Sequence, residues 1–189
     1  MKRVLHRPEN LSVAAFAHDA AELAGTRPLA EFDRLHASTV SGPDEPITWQ
    51  ARGESRAVRS GPPQVWLHLQ GHGEVDLECQ RCLEPVRQRL EAEQSFLFVE
   101  GEEAAEALDA QSEHDVLALS PRLDLFQLLE DELLLALPLI ATHDDCTVAL
   151  QPDAPEALPP DAAGATLDEP EPVHPFAALS ILKREGSGH

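Results

Sequence analysis

Apolar and polar residues alternate through much of residues 46–99, and a period of two is typical of a β-strand with one buried face. The alternation is clear over residues 65–69 and returns over residues 75–79. A Gly-His-Gly run at residues 71–73 separates these two segments at the spacing of a hairpin turn. Strand-like sequence then resumes over residues 85–99. The pattern predicts an antiparallel β-meander in the middle of the chain.

A longer period, of three to four residues, predicts helices on both sides of this meander. The clearest helix covers residues 123–137 and ends because Pro138 lacks an amide proton. A shorter amphipathic helix is predicted over residues 11–24, ending at Gly25. Residues 100–114 have no wide apolar stripe and are predicted to form an exposed loop or a frayed helix. The apolar face of the long helix carries Phe126, Leu129, Leu133 and Leu137.

The chain is predicted to have three parts. Residues 1–150 form an α+β domain, in which the meander packs against the long amphipathic helix. Residues 151–172 are acidic and rich in proline, a composition typical of a disordered linker. Residues 173–189 form a short amphipathic tail that we expect to dock on its own domain or on a partner. The apolar stripe of this C-terminal helix consists of Phe176, Leu179 and Leu182.

Charge is distributed very unevenly. The chain has a formal net charge of −20, and residues 91–170 contain 20 acidic residues against a single base, Arg122, a net charge of −19. Such a segment repels a phosphate backbone, so charge-driven binding of RNA or DNA is disfavoured. A basic protein partner suits this charge better, although solvated acidic loops have the same composition.

We expect the protein to be cytoplasmic. The basic start of the chain is followed by an uncharged stretch of only seven residues, 11–17, which is too short for a convincing secretory signal. No stretch of the sequence has the 18 or more apolar residues of a membrane span. The three cysteines are an odd number, which favours metal binding or plain thiols over a disulfide framework.

Two short motifs contain these cysteines. Cys79 and Cys82 form a C-x-x-C at a predicted turn between strands, and His143 and Cys146 follow the long helix at a spacing of three residues. Tetrahedral zinc is commonly bound by three thiolates and one imidazole. The four residues are therefore a candidate structural zinc site, the one cofactor that the sequence suggests. Reduced thiols without a metal are the alternative, because the C-x-x-C lacks the glycine that closes many zinc knuckles.

No enzyme motif was found. The sequence contains neither H-E-x-x-H nor a phosphate-binding glycine-rich loop. The acidic run at residues 130–132 is interpreted as a solvated helix face, since consecutive helical residues point about 100° apart and cannot converge on one ion. A small-molecule substrate is therefore not expected.

Four blocks of the sequence, in this order and spacing, resemble the bacterial YceD family of large ribosomal RNA subunit accumulation proteins. They are LECQRCLEPV at residues 77–86, EDELLLALPL at 130–139, HDDC at 143–146 and PFAAL at 175–179, with Lys183 close behind. The resemblance implies a non-enzymatic ribosome-biogenesis factor that supports synthesis, processing or stability of the large-subunit (23S) rRNA. Genes of this family commonly neighbour a gene for a small basic large-subunit ribosomal protein.

The expected partner is therefore a basic large-subunit ribosomal protein or a pre-ribosomal particle, with rRNA contacted indirectly. Two alternatives belong to other functional classes. One is a metal-dependent RNA-processing enzyme. The other is a zinc-ribbon-like RNA-binding module, which requires that arginines of the first 90 residues cluster, namely Arg52, Arg56, Arg59, Arg81, Arg87 and Arg89.

Overall fold

A computed structural model describes residues 6–146 and has the predicted α+β class. A five-stranded sheet has the strand order β1-β2-β3-β4-β5, which is also the chain order. Four short helices accompany it. The predicted linker at 151–172 and tail at 173–189 lie outside the described residues. The strands are β1 (Glu22–Pro28), β2 (Pro46–Arg56), β3 (Gln64–Glu78), β4 (Pro85–Val99) and β5 (Asp115–Ala118), and the helices are α1 (Val13–His18), α2 (Asp33–Ala37), α3 (Glu102–Asp109) and α4 (Leu125–Leu135).

The predicted turn at residues 71–73 is wrong, because β3 runs through these residues as one strand of 15 residues. The two glycines serve close packing instead. A Cβ at position 71 would lie 2.6 Å from Leu129 Cδ1 of α4, and a Cβ at position 73 would lie 2.5 Å from Ile47 Cδ1 of β2. The turn before β3 spans residues 57–63, where Gly61 has a φ of +104°.

The antiparallel meander predicted over residues 46–99 is confirmed by β2, β3 and β4, but the full sheet is mixed. β1 to β4 pair antiparallel, but β5 pairs parallel to β4. The chain reaches β5 through α3, so residues 100–114 contain an exposed helix that returns the chain to the start of the next strand. The four residues of β5 were missed because so short a strand shows no clear alternation.

The first predicted helix is also too long. α1 ends at His18, and the chain enters β1 at Glu22. Gly25 therefore lies inside a strand, paired with Trp49, and does not end a helix. Gly25 lies against the Trp49 indole ring, and a Cβ there would meet the ring at 3.4 Å, an ordinary van der Waals contact.

The predicted long helix is confirmed, although it covers Leu125–Leu135 and ends three residues before Pro138; Phe126, Leu129 and Leu133 form its buried face as predicted, while Leu137 lies beyond the helix and is half-buried. Asp124 caps α4, because its carboxylate accepts hydrogen bonds from the backbone N–H groups of Phe126 and Gln127. Leu129 and Leu133 are fully buried. Phe126 meets the Trp49 ring edge-on, with centroids 5.1 Å apart. The helix thus covers one face of the sheet and leaves most of the other face open.

The interpretation of Glu130 as a solvated residue is wrong. Its side chain is buried, and the carboxylate accepts hydrogen bonds from the backbone N–H groups of Arg34 (2.7 Å) and Leu35 (3.1 Å) in the first turn of α2. The Arg34 guanidinium also bonds Glu130 and, at 2.6 Å, Asp131. One buried charge therefore joins α4 to α2.

α1 packs very closely on the sheet at Gly53. A Cβ at this position would lie 2.6 Å from the carbonyl oxygen of Phe16 and 2.7 Å from the backbone nitrogen of Ala17. Because these are backbone atoms, the collision is not relieved by rotation of a side chain. We expect Gly53→Ala to lower the free energy of unfolding by about 1–3 kcal/mol, the usual cost of overpacking.

Urea denaturation followed by circular dichroism measures this effect. Gly42→Ala is the matched control, since a Cβ at position 42 meets no atom within 4 Å. Equal stability of the two variants would contradict the close packing of α1.

Candidate metal centre

The C-x-x-C motif lies on the turn between β3 and β4, as predicted. Two backbone hydrogen bonds close this turn: the Cys79 N–H donates to the carbonyl of Glu84 at 3.0 Å, and the Leu83 N–H donates to the carbonyl of Cys79 at 2.8 Å. The Cys79 side chain is fully buried, while Cys82 is half-buried. The turn holds both thiols at one end of the sheet.

The second half of the cluster comes from the loop that follows α4. The Cys146 N–H donates to the carbonyl of His143 at 3.3 Å, which folds this short segment into a turn. The Gln80 N–H donates to the carbonyl of Ala141 at 3.0 Å, so the loop is tied directly to the C-x-x-C turn. Residues that are about sixty positions apart in sequence thereby become neighbours.

The structure brings together the four residues that the sequence singled out. The ligand atoms of Cys79, Cys82, His143 and Cys146 all lie within 4.8 Å of one another. The Sγ atoms of Cys79 and Cys146 are 3.7 Å apart, and Cys82 Sγ is 3.5 Å from His143 Nδ1. A tetrahedral zinc ion with Zn–S bonds of about 2.3 Å separates two sulfur ligands by about 3.8 Å, and sulfur from imidazole nitrogen by about 3.6 Å. The cluster thus has the dimensions of a zinc site.

The His143 ring is held in a fixed orientation. Its Nε2 atom lies 3.0 Å from the carbonyl oxygen of Pro85, the first residue of β4. The carbonyl only accepts hydrogen bonds, so Nε2 carries a proton, and Nδ1 is the ring atom that faces the sulfur atoms. Metal-binding histidines are oriented by the same kind of contact.

Three residues of the cluster, Cys79, His143 and Cys146, have shifted pKa values. Burial opposes the Cys79 thiolate, but hydrogen bonds from the backbone N–H groups of Cys82, Arg81 and His143 lower the pKa of Cys79 to about 5. Burial raises the pKa of Cys146 to about 11. The hydrogen bond to Cys79, followed by the one to Pro85, raises the pKa of His143. The surroundings therefore favour the thiolate at Cys79 and the thiol at Cys146, and a metal ion bound by both would displace their protons.

Comparison with known proteins bears on the role of this chain. A sequence model described as "Large ribosomal RNA subunit accumulation protein YceD" matches residues 67–183, more than half of the chain. The chain is also 37% identical, over 127 residues, to the large ribosomal RNA subunit accumulation protein YceD of Haemophilus influenzae. That alignment covers 65% of this chain and 69% of the relative. The chain belongs to the YceD family.

This membership confirms the resemblance and is consistent with the predicted role in ribosome biogenesis. The YceD match includes all four residues of the cluster, as well as β4, α4 and β3 from residue 67 onward. No solved structure matches the chain. Among residues 6–146 there is no helix whose length and apolarity suit a membrane span.

A second polar cluster, missed by the sequence analysis, lies on the open face of the sheet of this YceD-family chain. His68 bonds Ser95 at 2.8 Å through Nδ1 and Glu54 at 2.9 Å through Nε2. Strand register places His68 opposite Ser95, and sequence spacing does not reveal this pairing. The arrangement resembles a hydrolytic triad, but the adjoining cavity is only about 130 Å³, smaller than the roughly 300–1,000 Å³ of ordinary small-molecule sites. Hydrogen bonds from Arg56 and His68 lower the pKa of Glu54 to about 2.

The arginines of the first 90 residues do not form a free basic patch. Arg56 pairs with Glu54, and Arg89 pairs with Glu91. Arg87 is surrounded by three carboxylates, whose hydrogen bonds, chiefly that of Glu45, raise its pKa. Arg52 also lies 3.8 Å from Glu54, so four of the six candidate arginines have acidic partners, whereas Arg59 and Arg81 pair with no carboxylate of residues 6–146. This pairing does not favour the RNA-binding alternative.

Leu83 occupies the position at which zinc knuckles often have glycine. Its φ is +64°, in the left-handed region, and its side chain is 68% exposed. This conformation costs a non-glycine residue roughly 1–2 kcal/mol, more than the entropy that glycine loses on folding. We expect Leu83→Gly to raise the free energy of unfolding by about 0.5–1 kcal/mol.

Chemical denaturation of the purified chain checks this expectation. Leu83→Ala removes the same exposed side chain but keeps the Cβ, and we expect no gain from it. If both variants gain equally, the backbone conformation at residue 83 is not the cause.

Proposed function

We propose that this YceD-family protein is a non-enzymatic ribosome-biogenesis factor. It supports accumulation of the large-subunit rRNA by binding a basic large-subunit ribosomal protein, free or within a pre-ribosomal particle. The observation that carries this proposal is the combination of family membership with the charge distribution. Within the described part of the chain, residues 91–146 contain 15 acidic residues and one base, Arg122.

The acidic residues of α3 support a protein partner. Glu102, Glu103 and Glu106 are exposed on this helix, and none of them forms an ion pair with another residue in the range 6–146. Such a surface attracts a cationic protein and accelerates its association, while it repels RNA. In this proposal, the factor keeps the ribosomal protein away from non-specific RNA until assembly.

Pull-down from cell lysate with and without RNase, read by mass spectrometry, tests the partner. We expect one basic large-subunit ribosomal protein to be recovered in both conditions. Replacing Glu102, Glu103 and Glu106 by Gln should reduce its recovery at least several-fold and should also lower 23S rRNA in a strain that depends on the variant. The matched control replaces three exposed acids of the nearly neutral first 90 residues by amides, namely Glu9, Glu22 and Asp44.

Three outcomes would contradict the proposal. Recovery that disappears with RNase would mean that the protein works on RNA. Lost ribosomal-protein binding with normal rRNA accumulation would separate binding from function. Cleavage of precursor rRNA by the purified protein with added Mg²⁺ or Mn²⁺ would establish the metal-dependent enzyme instead.

We further propose that Cys79, Cys82, His143 and Cys146 bind a structural zinc ion. The ligand spacing, the buried thiols and the oriented imidazole support this assignment. All four positions are filled by protein ligands, which is typical of structural sites, whereas catalytic zinc keeps one position open. The ion would fasten the loop after α4 to the β3–β4 turn.

Elemental analysis of protein purified without a histidine tag should find one zinc ion per chain. Cys82→Ser and His143→Ala should each weaken zinc binding by more than about 100-fold. Loss of a residue that only supports a ligand already costs up to about 100-fold in metal affinity, and these two residues are the proposed ligands themselves. Chelation should lower the melting temperature by about 6–12 °C, which corresponds to about 3 kcal/mol for a chain of this size. The control is His72→Ala, at an exposed histidine of β3. A wild-type chain without zinc, whose melting temperature does not respond to zinc or to chelator, would contradict the assignment.

A further inference from the structure

The end of α4 and the loop after it carry unusually exposed apolar side chains. Leu139 is 97% exposed and Leu135 is 79% exposed, the two highest values for large apolar residues within positions 6–146. Ile140 is 66% exposed. Single exposed apolar residues are common on soluble proteins, but several in one segment indicate a contact surface.

These residues continue a stripe along one side of α4. Leu128, Glu132 and Leu135 are spaced four and three residues apart, so they lie on the same side of the helix, next to its buried face. Leu128 and Glu132 are half-buried, and Leu135 is exposed. The chain then leads directly to Leu139 and Ile140. We call these five residues the α4 strip.

The charge beside the strip is negative. Partial burial, together with the negative charges of Asp115 and Asp131, raises the pKa of Glu132. Asp131 is paired with Arg34, and Asp115 accepts a hydrogen bond from Gln94. No cationic side chain from residues 6–146 pairs with Glu132 itself. A lysine or arginine from another molecule would relieve this repulsion.

We propose that the α4 strip is the docking site for a cationic amphipathic helix of the protein partner. This inference rests on the proposed function and adds the place and the chemistry of contact. The leucine and isoleucine side chains receive the apolar face of the partner helix, which supplies leucine-like residues at a spacing of three to four. Glu132 pairs with a lysine or arginine at the border of that face. α3 attracts the same partner from a distance.

A synthetic peptide probe tests the strip directly. The probe is a fluorescein-labelled 18-residue helix of Leu and Lys, with Leu at the amphipathic spacing, and its binding to the full-length chain is followed by fluorescence anisotropy. The double variant Leu135→Gln/Leu139→Gln should weaken binding by about tenfold, and Glu132→Gln by several-fold. Because these side chains are exposed or half-buried, the variants should keep the wild-type circular dichroism spectrum.

Two matched controls address specificity. Val40→Gln changes an apolar side chain that is 53% exposed elsewhere on the domain and should leave binding unchanged. A scrambled peptide of the same composition should bind at least tenfold more weakly than the probe. Equal binding of the scrambled peptide, or unchanged binding by the double variant, would overturn the proposal.

Other occupants of the strip give different results. A wild-type chain that sediments as a dimer, and a double variant that sediments as a monomer, would assign the strip to self-association. Much tighter probe binding by a chain shortened at residue 172 would assign it to this chain's own C-terminal segment. Either result overturns docking of a partner helix.

The pull-down separates this inference from the proposed function. If the double variant still recovers the basic ribosomal protein in the presence of RNase, the function stands and the α4 strip is not its docking site. If the wild-type chain recovers no basic protein at all, the proposed function fails, whatever the peptide shows.

Discussion

The close approach of α4 to β3 determines where the rest of the molecule lies. Gly71 favours this approach, since a Cβ there would lie 2.6 Å from Leu129 Cδ1 and the buried leucine would have to shift. Burial of Leu129 and Leu133 against the strand fixes the distance of α4 from the sheet and the direction of its axis. The loop after α4 consequently returns to the β3–β4 turn, and His143 and Cys146 come within reach of the C-x-x-C thiols. A change of packing at Gly71 would therefore displace the loop after α4, which carries His143 and Cys146.

Glu130 fixes the rotation of α4 about its own axis. Apolar contacts alone tolerate sliding and rotation of a helix, whereas a buried carboxylate must keep its hydrogen bonds or bear a large desolvation cost. Its bonds to the first turn of α2 hold α4 in one rotational setting. In that setting one side of α4 faces the sheet, the next side carries the α4 strip, and the loop after the helix leads to the cluster of three cysteines and His143. The arrangement of both proposed sites thus depends on one charged residue.

The sequence predicted the parts of this structure that arise from local patterns. Periodicity predicts the buried face of α4 and the turn at Cys79 and Cys82. Ligand chemistry predicts that His143 and Cys146 share one site with these cysteines. The errors concern residues whose role depends on distant neighbours. Gly25, Gly71 and Gly73 resemble helix or turn breakers locally, yet all three lie inside strands, and the last two lie where α4 and β2 approach β3 closely. Glu130 looks like any acid on a helix until α2 is placed beside it, and the pairing of His68 with Ser95 depends on strand register.

The separation of the two half-sites along the chain affects the order of folding events. Cys82 and His143 are 61 residues apart, and the structure between them includes β4, α3, β5 and α4. A hairpin such as β3–β4 forms from neighbouring residues, whereas closing the cluster joins segments about sixty residues apart, and we expect this to follow docking of α4. An ion bound there would act after the folding transition state, so it would slow unfolding while leaving the folding rate nearly unchanged. The cluster would then affect the unfolding rate of the domain more than its folding rate. A slower unfolding rate would lengthen the time during which the folded domain can hold a partner.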